Sequence, residues 1–279
     1  MTAAAPLALV CGAGQFPLAV ADAVTASGRP IYLIGVRGAA DPAISKYPHD
    51  WIGMGRLGRM LRLARDAGAK DIAFVGAVPR PSMSLDFIPD LRFLKLMLRY
   101  LGGGDNDMLT HFAREVESKG LRVRGVHEVA PGLILPSGVI GKHVPSAEAQ
   151  AAALLGMEVL GALGPYDIGQ GAVVADRRVI AIEAAEGTDA MLERVADLRS
   201  SGRLKTAAGK SVFVKASKRG QDLRLDTPAI GTATVEKVKQ AGLAGIAVAA
   251  GQVMTPDLGA LIDAADKAGL FIFGVEPSA

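Results

Sequence analysis

One cysteine in 279 residues, Cys11, excludes an internal disulfide, and its place in the apolar run LALVC reads as a small buried hydrophobe rather than a nucleophile. A reducing compartment fits that usage. Aromatic residues make up only 5% of the chain, and its Lys and Arg are scattered with few aromatics between them, which argues against a nucleic-acid partner. The net charge of +3 is mild and leaves an anionic ligand or an anionic membrane surface open. No apolar run approaches the ~18 residues of a membrane-spanning helix. The uncharged stretch before Asp22 lacks the basic start of a signal peptide and is interrupted by Gly12, Gly14, Gln15 and Pro17, so it reads as strand, turn and helix. The 4 histidines, His49, His111, His127 and His143, are dispersed, and no zinc-ligand spacing is found.

What the chain does have is apolar material, 50% of its residues, and 34 glycines. Such a composition suits α/β architecture, with cores of Ala, Val, Leu and Ile joined by tight turns. The N-terminal half alternates: a strand at 7–11, a helix over 15–27, a strand at 30–35, a helix over 56–67, a strand at 71–76, helices over 89–100 and 106–119, and a strand at 121–126. That order predicts a Rossmann-like parallel sheet. Pro131, Pro136 and Pro145 then break the periodicity until Ala147. The second half predicts a hairpin, GAVVAD and RRVIAIEA, turning at Asp176–Arg177, then helices and strands that together make a mixed sheet. Two α/β domains are expected: residues 1–130, a linker and connecting helix over 131–163, and 164–279.

Several segments carry chemistry-bearing residues. CGAGQFP follows a strand and opens a helix, where backbone N–H groups can meet an anion. Pro17 replaces the third glycine of a dinucleotide fingerprint, and the second strand ends Gly35, Val36, Arg37 without a ribose-binding acid, so NAD is not expected and a plain tight turn stays open. Arg56, Arg59, Arg62 and Arg65 fall on one side of a helix and read as a solvated face. In GGGDND, Asp105 and Asn106 suit helix capping. Glu183, Glu186 and Asp189 gather where a strand passes into a helix; Thr188 as a cap with Asp189 in the first turn is a sufficient explanation, and three carboxylates at one strand end also suit a hard divalent cation. The densest segment is KASKRGQDLRLDTPAIG, which offers Lys215, Lys218, Arg219 and Arg224 as cations, Gln221 as a neutral partner, and Asp222 and Asp226 as acids. Loops past strand ends are where α/β proteins place their chemistry, and cations beside carboxylates suit phosphoryl transfer.

Taken in order, AGQFP, AVPRPS, GGDND, YDIGQGAVV, AIEAAEGTDAML, FVKASKRGQDLRLDTPAIGTATVE and AGLAGIAVAAG resemble the LpxI-type UDP-2,3-diacylglucosamine pyrophosphatases of lipid A biosynthesis over nearly the whole chain. EGTD and K-x-x-K-x-x-Q-D-x-R-x-D-x-P-x-x-G are the most specific pieces; GDND stands where GDD is expected. The resemblance implies a cytoplasmic hydrolase, peripheral on the inner membrane, with its ligand between two domains and Mg²⁺ as cofactor. It would split UDP-2,3-diacylglucosamine into UMP and 2,3-diacylglucosamine 1-phosphate, water attacking the phosphorus nearer the sugar. Carried onto this chain, Asp226 is the first acid, as metal ligand or water-orienting base, with Asp222 the second acid of its loop. Asp189 is the further metal candidate. Lys215, Lys218 and Arg224 would meet phosphate, Gln170, Thr188 and Gln221 would be polar contacts, and Gly14 with Gln15 would close the site. A nucleotide-sugar transferase and a non-catalytic acyl-sugar-phosphate binder are the alternatives, and a homodimer is left open.

Overall fold

The computed structural model describes residues 4–78, 89–99, 105–205 and 210–276, with the backbone alone at 96–99 and 105–107. Pro79–Ser82 of AVPRPS, Gly102–Gly104 and the side chains of Asp105 and Asn106 therefore lie outside the described residues. The chain divides into two compact units: Met1–Gly132 with Asp222–Asp226, and Leu133–Gln221 with Thr227–Ala279.

The first unit is built as the alternation predicts. Its elements are β1 (Leu7–Cys11), α1 (Phe16–Ala26), β2 (Ile31–Val36), β3 (His49–Ile52), α2 (Leu57–Asp66), β4 (Asp71–Val75), α3 (Leu91–Arg99), α4 (Asp105–Glu117), β5 (Arg122–Arg124) and α5 (Val126–Val129). The sheet is parallel in the order β3-β2-β1-β4-β5. β1 is wholly buried because helices cover both faces, which is why it reads as an unbroken apolar run rather than an alternating one. Cys11 is 0% exposed, and burial pushes its thiol up to about 12, as suits an inert core residue. The edge strand β3 was not predicted: HDWI has neither period-2 alternation nor a β-branched run, and its pairing with β2 decides its conformation.

The second unit contains β6 (Gly138–Ile140), α6 (Ala147–Leu163), β7 (Gly171–Ala175), β8 (Arg178–Ile182), α7 (Gly187–Ser200), β9 (Ser211–Lys215), α8 (Thr232–Gln240), β10 (Gly245–Ala249), α9 (Leu258–Ala268) and β11 (Phe271–Val275). Its mixed sheet runs β6-β11-β10-β9-β7-β8. β9, β10 and β11 are parallel, while β6, β7 and β8 are antiparallel to their neighbours. Residues 131–163, expected as linker and connecting helix, are built into this sheet: β6 is its edge, and α6 covers one face, with Gly156 against Val214 where a Cβ would come within 2.5 Å. Pleating sends Val212 and Val214 to that face and Phe213 to the opposite core beside Met191, Leu192 and Val238. The β7–β8 hairpin turns where expected. Asp176 and Arg177 both adopt positive φ, 48° and 60°, the backbone that a two-residue turn of matching twist demands.

Candidate active site

In the second unit, β9 ends on Lys215, a charged residue only 4% exposed that follows the apolar Val212, Phe213 and Val214. Its ammonium donates to Glu183 Oε2 at 2.9 Å and Thr188 Oγ1 at 2.7 Å. Glu183 follows β8, and its backbone is clasped by the YDIGQG segment: Gly169 N–H donates to its carbonyl and its own N–H donates to Gly171. A Cβ at Gly169 or Gly171 would come within 2.5 Å of Glu183, so these glycines are small because the glutamate lies against them. Gln170 sits between them, and its carbonyl accepts from Ala216 just past β9.

Thr188 therefore does something other than the capping expected of it. Glu186 is the residue before α7 and makes no side-chain cap, while Thr188 lies inside the first turn with its hydroxyl on Lys215. Asp189 is in that turn, as expected, and is exposed. The expected acidic trio does not converge. Glu183 pairs with Lys215 and Glu186 with Arg194, and among the described residues no group of three or more His, Cys, Asp or Glu is placed to hold a metal ion.

Past β9 the loop is shaped by its own side chains. Lys218 N–H donates to Gln221 Oε1, Gln221 N–H donates back to the Lys218 carbonyl, and Gly220 supplies the φ of +82° that closes this turn. Gln221 is thus a loop former as well as a candidate contact. Lys218 Nζ meets Asp167 Oδ1 at 2.6 Å, a pairing the sequence reading missed, since the two lie 51 residues apart. Pro228 is buried, and its carbonyl accepts from Met254 N–H at 2.9 Å, which anchors the chain just beyond Asp226.

The first unit holds the other acids of the loop. Residues 222–226 form a turn in which Leu225 and Asp226 N–H donate to the Asp222 carbonyl. Arg224 grips Asp222 with Nε and Nη2, at 2.9 and 2.7 Å, and reaches Glu117 with Nη1 at 2.9 Å. The Arg224 hydrogen bond, opposed by partial burial, holds the Asp222 carboxyl below its ordinary range, and the same pairing raises Arg224. Asp226 is exposed. Gly14 has φ +96° and open space around it, while Gln15 precedes α1 without a side-chain cap. Gly12 has a purely steric reason, since a Cβ there would lie 2.5 Å from the Gly76 carbonyl oxygen.

These features define a two-unit α/β protein whose second unit ends its central strand in a nearly dry lysine–carboxylate pair, followed by a self-bonded cationic loop. Residues 6–133 match the LpxI N-terminal domain and 136–273 the LpxI C-terminal domain. The chain belongs to the LpxI family. It is 39% identical over 274 residues to the UDP-2,3-diacylglucosamine pyrophosphatase LpxI of Caulobacter vibrioides, covering 97% of this chain and 98% of that protein. Among solved structures, the biotin carboxylase subunit of a pyruvate carboxylase is 15% identical with a TM-score of 0.26, covering 75% of this chain and 44% of that one. The biotin carboxylase domain of a thermophilic 2-oxoglutarate carboxylase is 17% identical with a TM-score of 0.25, covering 70% and 42%. Likenesses this weak carry no argument about fold or ligand.

Proposed function

We propose that this protein hydrolyses the diphosphate of UDP-2,3-diacylglucosamine, releasing UMP and 2,3-diacylglucosamine 1-phosphate. The observation that carries the reading is full-length similarity to the Caulobacter vibrioides pyrophosphatase, 39% identical across 97% of the chain. The lysine pair and cationic loop support the same chemistry, because a diphosphate needs fixed positive charge near its oxygens.

Water oxygen attacks the phosphorus nearer the sugar, the bond from that phosphorus to the bridging oxygen breaks, and UMP leaves with the bridging oxygen. Asp226 orients the water and takes its proton. Lys218 and Lys215 face phosphate oxygens, and Glu183 fixes the position of the Lys215 ammonium before substrate arrives. Asp222 acts as a positioning residue through Arg224. Thr188, Gln170 and Gln221 are the polar contacts of the substrate. Mg²⁺ is part of the proposal. Since such an ion takes as few as one or two protein carboxylates, Asp226 or Asp189 would each be a candidate donor to it. When bound it neutralises charge on the diphosphate. The reading carries with it a cytoplasmic location on the inner membrane surface; no helix among the described residues is long and apolar enough to cross a membrane.

The test is turnover of UDP-2,3-diacylglucosamine in ¹⁸O water. Label is expected in the glucosamine 1-phosphate and absent from UMP. Label in UMP would overturn the site of attack, label in neither product would favour the transferase, and retained but uncleaved substrate would favour the binding protein.

A further inference from the structure

The arginine face of α2 is solvated as expected, with Arg59, Arg62 and Arg65 exposed, and part of it also borders a cavity. α2 starts beside the C-terminal ends of β2 and β3, and there an open cavity of about 820 Å³ is lined by Arg37, Trp51, Arg56, Arg59, Arg62 and Arg92. The volume is in the range of small-molecule sites. Asp90 is the one acid in its lining, and its oxygens are taken up by the backbone N–H groups of Gly58 and Phe93, where it ties the start of α2 to the start of α3. Arg59 makes a long contact of 3.9 Å to Asp50 across exposed surface, and among the described residues Arg37, Arg56, Arg62 and Arg92 have no carboxylate partner. The cavity is therefore strongly positive with little internal compensation.

Its rim is apolar in an unusual way. α3 begins at the cavity with Leu91, 76% exposed, and one turn on carries Leu94, 43% exposed, flanked by the exposed cations Arg92 and Lys95. Two exposed leucines one turn apart beside cations suit a helix that lies in a lipid interface. The concave cation cluster next to them matches a phosphate-bearing headgroup at the same depth.

We infer that the α2–α3 cavity is a headgroup site for an anionic phospholipid, with Leu91 and Leu94 entering the acyl boundary, so that this face seats the protein on the membrane. The inference deepens the peripheral location in the proposed function and rests on that reading for nothing else. Each basic side chain at an anionic surface is worth about fivefold in partitioning.

Co-sedimentation of the whole protein with phosphatidylglycerol and with phosphatidylcholine vesicles tests it, alongside turnover of detergent-dispersed UDP-2,3-diacylglucosamine. Expected are partition to the anionic vesicles only, a steep fall with salt, about a twenty-fivefold loss in Arg62→Gln/Arg92→Gln, and a clear loss in Leu91→Ser/Leu94→Ser, with melting temperature and detergent turnover unchanged. Equal binding to neutral vesicles, unchanged partition of the arginine variant, or glycerol 1-phosphate binding in place of vesicles would overturn it. Failed turnover in the wild type with intact vesicle selectivity would count against the proposed reaction and leave the membrane site standing.

Discussion

Lys215 and Glu183 form an ion pair that is almost dry, with 2.9 Å between Nζ and Oε2 and side chains 5% and 12% exposed. Such a pair is a poor stability device, because desolvation offsets most of the attraction, yet removing one partner strands the other. Its value here is a cation held at the end of a rigid strand in one orientation, supported from its other side by Thr188.

Lys215→Met should destabilise the second unit by about 3–5 kcal/mol, since Glu183 is left buried without a counter-ion. The double variant Lys215→Met/Glu183→Gln should regain most of that loss in thermal unfolding and none of the turnover. Activity recovered along with stability would show that the lysine is only structural.

Acid should loosen the first unit before the second. Asp71, buried at the start of β4, accepts from Arg29 at 2.6 Å and Arg122 at 2.7 Å; burial alone would raise its carboxyl, and these bonds overcome it to hold the carboxyl below its ordinary 3.8. Asp222 is depressed likewise by Arg224. A depressed folded pKa gives stability that is present above the unfolded value and drains away as pH falls through the folded one. Stability should therefore be flat above about pH 5 and fall below about pH 4. Asp71→Asn should cost about 1–3 kcal/mol at pH 7 and flatten the acid limb in pH-dependent denaturant titrations. An acid limb unchanged in Asp71→Asn would remove this residue from the account.

Turnover should need a divalent cation. Thorough chelation is expected to abolish hydrolysis, and Mg²⁺ or Mn²⁺ to restore it, since the available donors are carboxylates rather than thiolates or clustered imidazoles. Full activity after chelation would refute the metal part of the mechanism.

Most elements were legible because period and punctuation agreed: β1, β10 and the β7–β8 hairpin fall where apolar runs and turn residues place them. β3 and β6 were not, being strands of four and three residues that only a neighbour's edge makes extended. The site was legible as residue types and not as partners. Lys215 stood out as one of the cations of the segment after a strand, but Glu183 lies 32 residues away, and the proximity of the three acids in sequence suggested a metal cluster that separate pairing to Lys215 and Arg194 dissolves. The signal that could have found Glu183 was the pair of glycines at 169 and 171, small because the glutamate packs on them.

Asp226→Ala should abolish turnover while leaving fold and substrate retention largely intact. The two acids of this loop differ in what already holds them. Asp222 has both oxygens on Arg224, and Arg224 also reaches Glu117, so Asp222→Ala should release the arginine and lower both the melting temperature and the rate. Asp226 is exposed on a turn whose N–H it shares with the Asp222 carbonyl, and the chain beyond it is stiffened at Pro228. Removing a group that orients water or metal forfeits stabilisation needed mainly in the transition state, so its kcat should fall far more than substrate affinity. A merely solvated aspartate would instead change stability by less than about 0.5 kcal/mol and leave the rate alone. Turnover, melting temperature and retained substrate measured together separate the cases. Near-normal turnover in folded Asp226→Ala protein would remove Asp226 from the mechanism and leave Asp189 or Asp222 as the acid to test next.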